Sequence, residues 1–131
     1  LIKLNAIITL ATGKPYEIAI LSIICAHSLS RFSIIVIPYF SIPASDEGLA
    51  RYAGEPETRG VIGGFLLTSF LIFLLLPFDQ AILSAVLAIL VAGVVGLLAN
   101  FQIKGYTGDI LGAAQQVSEA TVLVYLASSS S

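Results

Sequence analysis

Two groups of residues in this chain have the types and spacing to do chemistry. The first is His27, Ser30 and Arg31. Spaced i, i+3 and i+4, they share one face of a helix. A guanidinium on that face suits an anion, because it can grip phosphate through two parallel hydrogen bonds. The same arrangement also serves a long side chain snorkelling toward head groups, or a pair that stabilises a bundle. The second group runs from Gly105 to Glu119. At about 100° per residue, Asp109, Gly112, Gln116 and Glu119 fall on roughly one helix face. Asp109 offers carboxylate oxygens to Mg²⁺, which binds phosphates through one or two carboxylates plus waters. Thr107 and Asp109 are equally good helix N-caps. Gly105 and Gly108 allow close backbone approach and positive φ, and the helix that follows presents free N–H groups to an anion. Glu119 has no capping task, since it lies about 15 Å farther along the helix. A buried carboxylate needs a cation, a metal or a proton. Arg31 is the expected partner within this chain.

The elements that must hold these residues are membrane helices. The chain has 131 residues, of which 57% are apolar and 11% charged, and its mean hydropathy is +0.99. A soluble domain carries roughly 25% charged residues. The composition therefore indicates an integral membrane protein, an all-α polytopic bundle forming a single membrane domain over 1–131. A net charge of −2, with no basic run, excludes a nucleic-acid binder. The single cysteine, Cys25, excludes an intrachain disulfide framework and a cysteine-based zinc site.

A crossing helix needs about 20 apolar residues. Spans are expected at 16–39, 61–78, 81–103 and 110–127. The segment 1–12 is too short to cross alone, and as a signal peptide it lacks a small-x-small cleavage site. Pro38 and Pro43 mark the exit of the first span, Pro77 the end of the second, and Asp79 is expected to cap the third. Ser84, Ala88, Ala92 and Gly96 recur every four residues, a stripe for close helix packing. The serines at 128–131 read as a disordered tail.

Two polar loops separate the spans, 41–60 and 104–109. Counting crossings puts both on one side. Arg51, Arg59 and Lys104 lie there, against Lys14 alone on the other. The excess of positive charge points that side to the cytoplasm.

The run Lys104-Gly105-Tyr106-Thr107-Gly108-Asp109-Ile110-Leu111-Gly112-Ala113, with Glu119 beyond it, resembles the C-terminal signature of the cobalamin synthase family, the adenosylcobinamide-GDP ribazoletransferases. That signature reads Gly-Gly-x-Thr-Gly-Asp-x-Leu-Gly-Ala with a glutamate a few residues on. Ser30-Arg31, Lys3 in its apolar run, and Glu47-Gly48-Leu49 follow the order seen in the family. The resemblance covers essentially the whole chain. Two departures stand out. Lys104 replaces the first glycine of the pair, and the aspartate-rich motif of the family's N-terminal half has no counterpart here. The chain, which begins at Leu1 and contains no methionine, is thus expected to correspond to the rear portion of a longer enzyme.

The resemblance implies a bacterial or archaeal membrane enzyme that joins adenosylcobinamide-GDP to α-ribazole, or its 5′-phosphate, and releases GMP with Mg²⁺ as cofactor. Displacing GMP from a diphosphate calls for charge neutralisation more than covalent chemistry. On this reading Asp109 binds Mg²⁺, Thr107 and Gly108 hold a phosphate or cap the helix, and Arg31 and Lys104 neutralise the diphosphate. Ser30 and Lys3 belong to the substrate-binding set. Glu119 is a second metal ligand, a base for the ribazole hydroxyl, or the partner of Arg31. The competing readings are a membrane phospho-alcohol transferase that uses a nucleotide diphosphate, a transporter segment with Arg31 and Glu119 as a relay, and a non-catalytic subunit. Membrane lipid is the surrounding partner in every case, and the oligomeric state is left open.

Overall fold

The computed structural model describes residues 1–44 and 57–129. Five helices follow one another: α1 (Ile2–Gly13), α2 (Tyr16–Phe40), α3 (Thr58–Leu75), α4 (Phe78–Ile103) and α5 (Gly108–Ser128). Four of them, α2 to α5, are long and apolar enough to cross a membrane; α1 is a shorter apolar helix. The all-α membrane bundle expected from composition is what forms. Asp46, Glu47, Arg51 and Glu55 of the first polar loop, with the Glu47-Gly48-Leu49 stretch, lie outside the described residues, as do Ser130 and Ser131.

Proline sets the two tightest connections. The residue before a proline is driven into extended backbone, so a helix ends there. Lys14 (φ −135°, ψ 158°) precedes Pro15, and Leu76 (φ −117°, ψ 152°) precedes Pro77. Each proline then serves as the N-cap of the next helix, where its missing N–H costs nothing. This corrects two expectations. The helix expected at 61–78 occupies 58–75, because Pro77 expels Leu76 and the polar residues 58–60 join the first turn. Asp79 sits in the first turn of α4 and is not its cap.

The interior is built on α5, which packs against α2, α4 and α1, while α3 lies against α2 and touches α4. On α4 the expected small-residue stripe is buried and extends a turn at each end: Ala81, Ser84, Ala88, Ala92, Gly96 and Ala99. Small side chains let the backbones approach closely, which is how helices gain packing energy where lipid offers no hydrophobic drive. Ala81 and Ala88 of the stripe share one core with Leu10, Leu29, Val122, Leu123 and Leu126. Large apolar groups such as Phe65, Phe70 and Leu97 face outward, as expected of a lipid-facing surface.

The direction of α1 matters for the site. Lys3, at its start, meets Gln116 and Glu119, and Lys14, just past its end, donates to the Leu126 carbonyl at 2.8 Å. The half-length α1 therefore runs parallel to the second half of α5. Lys14 supplies a cation near the negative end of the α5 dipole, and burial lowers its pKa below the usual lysine value.

Candidate functional site

The residues singled out by sequence fall into two tiers. The first is the turn between α4 and α5. Lys104 closes α4 in the left-handed conformation (φ 56°, ψ 33°), the one non-glycine residue with positive φ among the described residues. Glycine takes that conformation at no steric cost, whereas other residues lose roughly 1–2 kcal/mol. The position is the one where the family signature has its first glycine. Thr107 is the N-cap of α5, and its Oγ1 accepts from Ile110 N at 3.4 Å. Gly108 and Asp109 open the helix. Both are exposed, and Asp109 forms no ion pair among the described residues.

Gly105 has a different reason from the one expected. It does not take positive φ, and what approaches it is backbone. A Cβ there would lie 2.5 Å from Ile42 O and 2.8 Å from Ala44 N. The segment leaving α2 is paired with the turn as a parallel bridge between Pro43 and Tyr106. Tyr106 N donates to Ile42 O at 3.0 Å, and Ala44 N to Tyr106 O at 2.9 Å. Tyr106 is fully enclosed against Ile37 and Ala114, and Asn100 donates to Ser41 Oγ at 3.1 Å. Residues 41–44 and the turn at 104–109 thus meet at one end of the bundle.

The second tier lies where α1, α2 and α5 meet, partway along the bundle, with His27 and Arg31 on its exposed side. Lys3 Nζ donates to Glu119 Oε2 at 2.8 Å and to Gln116 Oε1 at 2.5 Å. His27 Nδ1 is 3.8 Å from the same Glu119 oxygen. On the other side of the ring, Arg31 Nε donates to His27 Nε2 at 3.3 Å. Ser30 is buried, and its hydroxyl donates to the His27 carbonyl at 2.8 Å, within its own helix. The pairing expected between Arg31 and Glu119 is not formed. Glu119 is taken by Lys3, a cation from a helix 116 residues away, and His27 stands between it and Arg31. Glu119 is thus ion-paired, but with Lys3 and not with Arg31. Sequence reasoning placed Gln116 and Glu119 on one face correctly. The i, i+4 spacing also put His27 on the Arg31 face, but gave it no role of its own; its place between Arg31 and Glu119 comes from the packing of α2 on α5.

About ten residues of α5 separate the tiers, or roughly 15 Å. Asp109 and Glu119 therefore do not share a single site. For Mg²⁺ the test is the donor set. Among the described residues no three acidic, histidine or cysteine side chains gather, so these residues build no all-protein cage. An exposed, unpaired carboxylate at a helix start does suit Mg²⁺ held partly by substrate phosphates, which is how this ion is commonly bound.

Residues 1–127 match the family described as cobalamin-5-phosphate synthase, CobS. Curated relatives named adenosylcobinamide-GDP ribazoletransferase include those of Bradyrhizobium diazoefficiens (32% identical, 89% of this chain and 45% of the relative), Brucella anthropi (31%, 95% and 50%) and Shewanella pealeana (34%, 96% and 49%). The chain spans about half the length of these relatives. No solved structure matches it. A Thr-Gly-Asp turn opening a membrane helix, a left-handed residue where the signature has glycine, and a match over nearly every residue lead to one conclusion: the chain belongs to the cobalamin-5-phosphate synthase family.

Proposed function

We propose that the chain forms part of a membrane transferase that joins adenosylcobinamide-GDP to α-ribazole or its 5′-phosphate and releases GMP. The observation that supports this best is the exposed Asp109, without an ion pair among the described residues, in a family-matching turn whose backbone is fastened on both sides. In the reaction a ribazole hydroxyl oxygen attacks the phosphorus next to the cobinamide, the bond from that phosphorus to the GMP oxygen breaks, and GMP leaves. The hydroxyl proton passes to water or to a substrate phosphate. Asp109 would hold Mg²⁺, which when bound neutralises charge on the diphosphate. Thr107 fixes the start of α5, so that its first N–H groups point at the phosphates. Lys104, and Arg31 from farther in, would neutralise the charge that the bound diphosphate already carries. Glu119 holds Lys3 and does not act as the base.

The end of the bundle bearing 41–44 and 104–109 faces the cytoplasm on this reading. The positive charges of Arg51, Arg59 and Lys104 favour that side, and a guanine nucleotide substrate would be met there.

The test uses the protein at the length of its family members, reconstituted in lipid with Mg²⁺, and follows GMP release. Wild type should turn over, and Asp109→Asn should lose about a hundredfold in rate while remaining folded, the size typical of removing an electrostatic group. Unchanged turnover in the variant would reduce Asp109 to a first-turn charge on α5. No turnover in the wild type, with activity on a lipid alcohol instead, would replace the corrinoid reading.

A further inference from the structure

Arg31 is an exposed guanidinium about nine residues inside the end of α2, or roughly 13 Å from it. No carboxylate lies within ion-pair distance of it among the described residues. Its one described side-chain contact is the bond from Nε to His27 Nε2. His27 in turn has two unlike neighbours. The Arg31 donor faces Nε2, and the Glu119 carboxylate, already paired with Lys3, faces Nδ1 at 3.8 Å.

These neighbours select one form of the ring. A neutral imidazole has one donor nitrogen and one acceptor nitrogen. With the proton on Nδ1, the N–H lies on the side of the ring nearer the carboxylate, 3.8 Å away and so an electrostatic contact, and the lone pair of Nε2 receives the guanidinium. With the proton on Nε2, two donors oppose each other and a lone pair faces a carboxylate. Both ends therefore favour the Nδ1–H tautomer, and the second group that a histidine touches is what fixes its tautomer.

We propose that His27 is a positioning residue: as the neutral Nδ1–H tautomer it holds Arg31 by Nε and leaves both terminal amino groups of the guanidinium for an anionic group of the substrate. The inference rests on the proposed reading of Arg31 as a diphosphate-neutralising group. A guanidinium fixed through Nε keeps its other edge intact, and that edge grips phosphate bidentately. Lys3 from α1 and Glu119 from α5 form the far support, and Arg31 from α2 is the group being held. Without His27 the arginine keeps its charge and loses its direction. Misorientation of a binding group weakens capture of the substrate more than it changes the bond-breaking step.

Two measurements on the reconstituted protein at family length test this. The first is ¹⁵N NMR of histidine-labelled protein in lipid. His27 should show an unprotonated Nε2 and a protonated Nδ1, and Arg31→Gln should shift the ring toward a mixture of tautomers. A wild-type ring protonated on Nε2 overturns the proposal whether or not the enzyme turns over. The second is kinetic. His27→Ala should raise KM for adenosylcobinamide-GDP about tenfold with a smaller effect on kcat, as expected when ground-state binding is weakened. His27→Gln places an amide oxygen near the position of Nε2 and should restore most of the loss. His27→Asn reaches only the Nδ1 position and should not. In an Arg31→Lys background, removing His27 should add little, since it acts through Arg31. Equal behaviour of the Gln and Asn variants would overturn the proposal. Wild type without GMP release would instead bring down the proposed function, with the NMR result still deciding the His27 arrangement.

Discussion

Lys3 Nζ lies 2.8 Å from Glu119 Oε2, joining the first turn of α1 to the middle of α5. Both groups are largely withdrawn, at 27% and 15% side-chain exposure. A charge at that depth is tolerated because it is paired. Lys3→Met should therefore destabilise the protein by about 2–3 kcal/mol, since it strands a carboxylate. The double variant Lys3→Met/Glu119→Gln should be more stable than Lys3→Met alone. Unfolding in mixed micelles measures both. A double variant that simply adds the two single costs would mean that the pair is not coupled.

Gly105 and Gly108 should respond in opposite ways to alanine. A methyl at 105 meets Ile42 O at 2.5 Å and Ala44 N at 2.8 Å, both backbone atoms that cannot swing aside. Gly105→Ala should cost about 2–3 kcal/mol and separate the two loops. At Gly108 nothing lies within 4 Å of the added carbon. Gly108→Ala should leave stability unchanged or raise it by a few tenths of a kcal/mol, as alanine favours the helix. Thermal unfolding of the two variants side by side decides this.

Lys104 stands in a conformation that glycine prefers. Lys104→Gly should raise stability by about 0.5–1 kcal/mol, the relief of left-handed backbone less the added freedom of the unfolded chain. Affinity for the diphosphate substrate should fall in the same variant if the ammonium contributes there. A stability gain with unchanged KM would mean that the lysine is only tolerated.

Ser84 Oγ is enclosed in the α4 stripe without a hydrogen-bond partner among the described residues. An unpaired buried hydroxyl costs about 1–3 kcal/mol. Ser84→Ala should accordingly be neutral or stabilising by about 1 kcal/mol, and Ser84→Leu strongly destabilising, because the stripe admits no bulk. Loss of stability in the alanine variant would show that the hydroxyl has a partner after all.

The bundle was legible in the sequence because apolar length is a strong signal and each proline marks a boundary. The ends of α3 and α4 moved by three residues, because the polar residues 58–60 joined a helix and Pro77 capped one directly. The stripe on α4 was read correctly, since spacing along one helix is a local property. The partner of Glu119 was not legible. It depends on α1 lying parallel to α5, a tertiary fact that no local pattern carries, and on a lysine in a segment too short to be counted as a span. Gly105 shows the same limit from the other side. Its small size was recognised as a demand for close approach, but whether ligand or backbone approaches is decided by a segment about sixty residues earlier.

The bridge between Pro43 and Tyr106 gives this end of the protein an unusual kind of loop. Ala44 and Tyr106 have amides bound to carbonyls across the gap, so they should exchange with solvent about as slowly as helix amides, far more slowly than loop position suggests. The entry of α5 cannot tilt without drawing the exit of α2 with it. If the proposed phosphate site lies at Thr107 and Asp109, its cradle is already shaped in the folded chain, and little ordering entropy would be left to lose on binding.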